Sequence, residues 1–193
     1  MIYFDEKHSQ ILTNSCMNCQ EKHFQPPNEQ VPRVGCCSYS PVLGLFEIAK
    51  IIKQNESFLH RLLQTSDVSI HPYHIVVHAK VHSTFAKEDI ATLSVLEQED
   101  LKTSYSVCQF FEETRGCTLP PSFKNTVCRS FICSTVELSF TPEEHLNFKK
   151  WTQNINKEAD NFHREHKLNL QKKSIDIKNN TEKVISYFKV LTN

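Results

Sequence analysis

Over the last third of the chain, apolar residues recur three and four positions apart: Phe148, Trp151, Ile155, Ala159 and Phe162. That spacing lays a stripe down one face of a helix. In front of it, Thr141-Pro142-Glu143-Glu144 supplies a cap, a proline at the first helical position and acids that suit the helix dipole. The pattern predicts a helix from Pro142 to about Asn169. After a polar break at Lys178-Asn179-Asn180, Val184, Ile185, Phe188 and Leu191 predict a short last helix. Upstream, Ser40-Pro41 reads as another cap and first-turn proline, and Leu43, Phe46, Ile48, Ala49, Ile51 and Ile52 carry a helix to about Gln54. Further helices are expected over Glu56–Gln64 and Lys87–Gln98. The β-branched run within HPYHIVVHAKVHS predicts a strand over Tyr73–His82.

Two stretches obey neither period. The first forty residues, broken by Pro26, Pro27 and Pro32, and the segment Cys108–Cys133, with Gly116 and Pro120-Pro121, read as irregular loops that need a cross-link to become ordered. The expected fold is mainly α, with α+β as the neighbouring class and room for a small β element. It is a single domain over residues 1–193, with irregular Cys-rich loops over a helical scaffold and a C-terminal helical extension from about residue 141.

Composition narrows the chemistry. The 193 residues carry 22 basic and 22 acidic side chains, far from the cationic footprint of a nucleic-acid binder, so no nucleic acid is expected. Three glycines cannot spell a phosphate-cradling loop, and no Gly-x-Ser-x-Gly elbow is present. The start, MIYFDEKHSQ, does not read as an export signal, and no apolar run approaches a membrane span. The expectation is a cytoplasmic protein without a membrane partner; a protein partner or substrate stays open.

Eight cysteines change the picture: Cys16, Cys19, Cys36, Cys37, Cys108, Cys117, Cys128 and Cys133. In a reducing compartment, clustered cysteines more often hold metal than form disulfides. The Cys16-x2-Cys19 spacing lets two sulfurs face one ion, and four more thiols fall within Cys108–Cys133. Two arrangements satisfy the count: two four-thiolate sites, or one site that draws on both segments and leaves spare cysteines. All-sulfur ligation selects zinc or an iron–sulfur cluster over magnesium or calcium. Arg33, Arg115, Lys124 and Arg129 lie close in sequence and are candidates to offset the charge of such a site.

At GCCSYSPVLGLFEIAKII and CQFFEETRGCTLPPSFKNTVCRSFIC the chain resembles the YkgJ-type cysteine-cluster family of zinc- or iron-chelating domains. The matching residues are Cys16, Cys19, Cys36, Cys37, Glu47, Cys108, Phe110, Cys117, Cys128, Arg129, Phe131 and Cys133. The resemblance implies a bacterial metal-binding protein with all eight cysteines as candidate ligands. It implies Cys108, Cys117, Cys128 and Cys133 as the surer set, because sixteen residues separate Cys19 from Cys36, more than members usually place there. Through a distant likeness to a bacterial flagellin lysine methylase it also implies, as the alternative, an iron–sulfur-dependent protein-modifying enzyme with no catalytic residue assigned.

Histidines offer less. His74, His78 and His82 share a face at a spacing of four, and on a strand they would stand roughly 13 Å apart, a solvated or partner-facing edge rather than a chelate. His163 and His166, beside the stripe ending at Phe162, read as partly buried histidines with one hydrogen bond.

Overall fold

The computed structural model describes residues 1–15 and 21–191. It is mainly α, with short strands grouped into four small sheets among the described residues. An N-terminal hairpin, β1 (Ile2–Asp5) and β2 (Gln10–Thr13), replaces part of the expected irregular loop. Ile2 and Ile11 bury its inner face.

Strand β3 (Val42–Gly44) runs into α1 (Leu45–Leu63). Strands β4 (Val68–Ile70) and β5 (His74–Val77) complete a three-stranded antiparallel sheet with β5 in the centre. Along β5 the side chains alternate, Ile75 and Val77 fully buried and His74 and Val76 less so, the two-residue period of a half-buried strand. This sheet overturns the Ser40-Pro41 helix start. The Ser40 Oγ accepts the Ala79 N–H at 2.9 Å and the Pro41 carbonyl accepts the Val77 N–H at 3.0 Å, so the segment pairs with β5. The α1 N-cap is Gly44, whose N–H the Glu47 carboxylate accepts at 2.9 Å. A non-helical Asn55 kinks α1, and its side chain accepts the Phe58 N–H at 3.1 Å, so the expected second helix continues from the first across a bend.

The long strand expected over Tyr73–His82 is two pieces: β5, then β6 (Lys80–Val81) paired with β7 (Ser106–Val107). The helix expected at Lys87–Gln98 lies later, as α2 (Val95–Ser104), set by a Ser94/Glu97 capping box. Strands β8 (Phe111–Glu112) and β9 (Gly116–Cys117) form a tight hairpin. Two short helices follow, α3 (Thr126–Ser130) and α4 (Ser134–Glu137). Then come α5 (Pro142–Lys172), with the expected Thr141 cap, and α6 (Ile177–Leu191), kinked at Asn180.

Two apolar cores result. The larger joins α1, the β3–β5 sheet, Leu119, Phe123, Leu170 of α5 and the inner face of α6. The smaller joins the N-terminal hairpin to Ile132, Val136, Phe140 and Ile155. Helix α5 reaches both.

Candidate metal centre

Five thiols from four pieces of chain, Cys36, Cys37, Cys108, Cys117 and Cys128, lie close enough to act on one another's ionisation. Cys36 and Cys37 lie on a turn closed by the Cys37 N–H donating to the Val34 carbonyl at 3.1 Å. Gly35 makes that turn with φ of +58°, a left-handed conformation that side chains resist. The Cys108 N–H donates to the Cys37 carbonyl at 2.7 Å, which ties the two cysteine segments together directly. Beside it, the Gln109 side chain donates to the carbonyls of Asp67 (3.0 Å) and His78 (2.7 Å), pinning the segment to the ends of β4 and β5. Cys117 sits on β9 across from Phe111, brought round by a turn with Gly116 at φ of +72°. Cys128 is the middle residue of α3, its N–H donated to the Asn125 side chain at 2.8 Å.

The thiols feel one another. Side-chain hydrogen bonding with Cys37, then its own backbone and nearby Lys124, brings Cys36 down to about 7 despite opposing burial. Cys37 is pushed up because it keeps the proton it donates, and because burial and the charges of Cys36, Cys117 and Cys108 oppose a second thiolate. Burial, then Cys117 and Cys36, push Cys108 up. The Cys128 residue is exposed overall but its sulfur sits among protein atoms. That burial, with Cys117, Cys108 and Cys36, pushes it up to about 12 against the pull of Lys124. Mutual repulsion of this kind marks groups that share a site.

The remaining three cysteines divide. Cys133 packs with Phe4, Phe148 and Trp151 against the smaller core. It precedes α4, whose first residues bond the buried Glu21: the Ser134 hydroxyl, the Thr135 N–H and the Thr135 hydroxyl all donate to that carboxylate at 2.7–3.0 Å. Cys16 and Cys19 lie outside the described residues. Of the neighbouring cations, Lys124 faces the thiols, Arg115 bonds Glu112 at 3.3 Å on the surface, and Arg129 is buried beside Glu47.

Asn125 and Glu21 escape a reading of the sequence. The signal that would have found Asn125 is its place as a helix cap three residues before Cys128, whereas nothing local announces a buried Glu21. The histidines do not form the shared edge that the strand would have made. His74 stacks on His71 with centroids 4.3 Å apart, His78 bonds the Ser69 hydroxyl at 2.6 Å, and His82 caps a 3-10 turn through Thr84. His166 is buried with one hydrogen bond, to the Tyr187 hydroxyl at 2.8 Å.

Comparison with protein families, curated proteins and solved structures finds no match to this chain. Among the described residues no three His, Cys, Asp or Glu side chains stand disposed to hold a metal ion. What the thiols offer is a donor set of one soft chemistry with Lys124 to offset charge, a composition that fits zinc or iron–sulfur ligation. Two clefts of about 460 and 660 Å3 run along α5, and no cysteine lines either. No helix among the described residues is long and apolar enough to cross a membrane.

Proposed function

We propose that this chain is a metal-binding protein that chelates zinc or an iron–sulfur cluster through cysteine thiolates, with Cys36, Cys37, Cys108, Cys117 and Cys128 as the primary donors. The observation that supports the reading is the direct tie between cysteine segments seventy residues apart in sequence, the Cys108 N–H donating to the Cys37 carbonyl at 2.7 Å, with the five thiols close enough to act on one another's ionisation, and the resemblance to cysteine-cluster domains points the same way. Bound, zinc would tie the loops without redox chemistry, and an iron–sulfur cluster would add electron transfer. Because four of these thiols do not ionise readily on their own or, like Cys36, do so only near neutrality, binding must displace protons, and affinity rises with pH.

Anaerobic purification followed by measurement of zinc, iron and acid-labile sulfide tests the proposal. Cys117→Ser and Cys128→Ser should each lower bound metal to less than about half, the loss of one ligand in four. Cys133→Ser should leave it near the level of the unsubstituted chain. Protein that holds neither metal under these conditions would end the proposal.

A further inference from the structure

Cys128 can serve a metal only if α3 holds it toward the other thiols, and α3 has five residues, too few to be stable alone. Two polar attachments fix it, one through Asn125 to β3 and one through Arg129 to α1, α5 and the N-terminal hairpin. At its start the buried Asn125 accepts the Cys128 N–H at 2.8 Å through Oδ1 and donates from Nδ2 to the Val42 carbonyl at 3.1 Å. One residue beyond Cys128, the Arg129 side chain enters the protein and is 0% exposed. Its Nη2 lies 3.9 Å from Oε1 of Glu47, the residue whose other oxygen caps α1. Its Nη1 lies 3.7 Å from Glu158 of α5 and donates to the Ser9 carbonyl at 3.5 Å, while the guanidinium carbon stands 5.3 Å over the Phe46 ring.

Stability does not account for this arrangement. Arg129 Nε and Nη2 and Glu47 Oε1 have no hydrogen-bond partner among the described residues. A buried ion pair so loosely made does not repay its desolvation, and apolar side chains of similar volume replacing both partners together would pack there as well or better. Charge compensation does not account for it either, since the cation that acts on Cys36 and Cys128 is Lys124. What the pair does achieve is orientation. Successive residues on a helix point about 100° apart, so Arg129, with Nη1 bonded to the Ser9 carbonyl and its guanidinium within 3.9 Å of both Glu47 and Glu158, sets the rotation of α3 and with it the direction of the Cys128 sulfur.

We infer that Glu47 and Arg129 are positioning residues for the thiol site, holding Cys128 toward Cys36, Cys108 and Cys117; the inference rests on the metal-binding reading. The full chain, reduced and anaerobic, is compared as the unsubstituted protein, R129M and E47Q, with cobalt(II) as the probe. The unsubstituted chain should show a thiolate-to-cobalt charge-transfer band. Both variants should bind cobalt(II) at least tenfold more weakly, with a shifted band; E47Q should keep its melting temperature, whereas R129M, which leaves the Glu47 carboxylate buried without its cation, should lower it. In the metal-free proteins Cys128 should be alkylated by iodoacetamide at least threefold faster in both variants than in the unsubstituted chain. If R129M does not fold, E47Q, which keeps the shape of the glutamate, carries the comparison. Affinity, band and Cys128 alkylation all equal to those of the unsubstituted chain would overturn the inference, as would weakening in E47Q that merely tracks a fall in its melting temperature. A missing band in the unsubstituted chain would overturn the metal reading, and the alkylation comparison would then decide the orientation of Cys128 alone.

Discussion

Cys36 and Cys37 are neighbours in sequence with opposite ionisation behaviour, because a single proton is shared between two sulfurs. Cys36, near 7, is about half thiolate at neutral pH, whereas Cys128, near 12, is almost wholly protonated. In metal-free protein at pH 7, iodoacetamide should therefore modify Cys36 at least about tenfold faster than Cys128, as read by peptide mass mapping. The Cys37 hydrogen bond is the larger cause of the low value and Lys124 the smaller. Cys37→Ala should slow Cys36 labelling more than Lys124→Met does, and the reverse ranking would contradict the geometry. At this scale the sequence pointed to the cysteines as the candidate donors but not to how they group. Cys128 and Cys133, with four residues between them, read on paper as neighbouring ligands of one set, yet the chain leaves α3 at Phe131, and Ile132 and Cys133 pack with the smaller core. That placement depends on packing between distant segments, which no local spacing records.

Elements announced by caps and long apolar stripes were the legible ones. Thr141 caps α5 as expected, its Oγ1 accepting the Glu144 N–H at 3.2 Å, and the Glu144 carboxylate in return accepts the N–H groups of Thr141 (2.9 Å) and Ile2 (3.3 Å). Thr141→Ala should cost about 1 kcal/mol in denaturant unfolding. The equivalent Ser94→Ala should cost much less globally, because α2 buries no residue and opens without disturbing a core. That same absence of a buried face explains why no periodicity pointed to α2. Strand β3 was hidden for another reason: three residues with apolar neighbours fit a helix as well as a strand until β5 is there to pair with them. Where β5 meets α5, His74 is held below its ordinary range by burial, then by His71, His163 and Lys167, and His163 by burial and Lys167 against Asp160. Both histidines are therefore harder to protonate folded than unfolded. Their contribution to stability is complete above an unfolded value near 6.5 and is lost as the pH falls through the lowered folded values. Melting temperature should drop between pH 7 and pH 5, and H74Q and H163Q should each flatten that drop; an unchanged pH profile in both variants would rule out this origin.

Across the whole molecule, the thiol site is supported unequally by the two cores, and this decides what metal removal can do. The sequence suggested that both cysteine segments lack apolar support, since neither shows a period. The structure supplies some: Leu119 and Phe123 are buried in the larger core, and Phe58 packs on Phe110 and Phe123 with ring centroids 6.2 and 5.5 Å apart. Burying such a side chain contributes roughly 1.5–3 kcal/mol, comparable with the 1–2 kcal/mol of backbone entropy each residue gives up. Residues 119–125 thus have their own reason to stay in place. The turn at Gly35–Cys37 and the β8–β9 hairpin have none of comparable size, being exposed and closed by only a few hydrogen bonds. Helix α5, anchored through Ile155 in one core and Leu170 in the other, does not touch the question. Chelation should therefore raise amide hydrogen exchange at residues 36–37 and 111–117 by about tenfold or more, with little change at residues 119–125 and none along the middle of α5. Far-ultraviolet circular dichroism should keep its helical signal throughout. Equal loosening of residues 119–125 and the hairpin would mean that metal, rather than Leu119 and Phe123, holds the second cysteine segment to the core. Unchanged protection at both the turn and the hairpin, after verified metal loss, would mean that the Cys108–Cys37 backbone bond and its neighbours suffice to hold the thiols together.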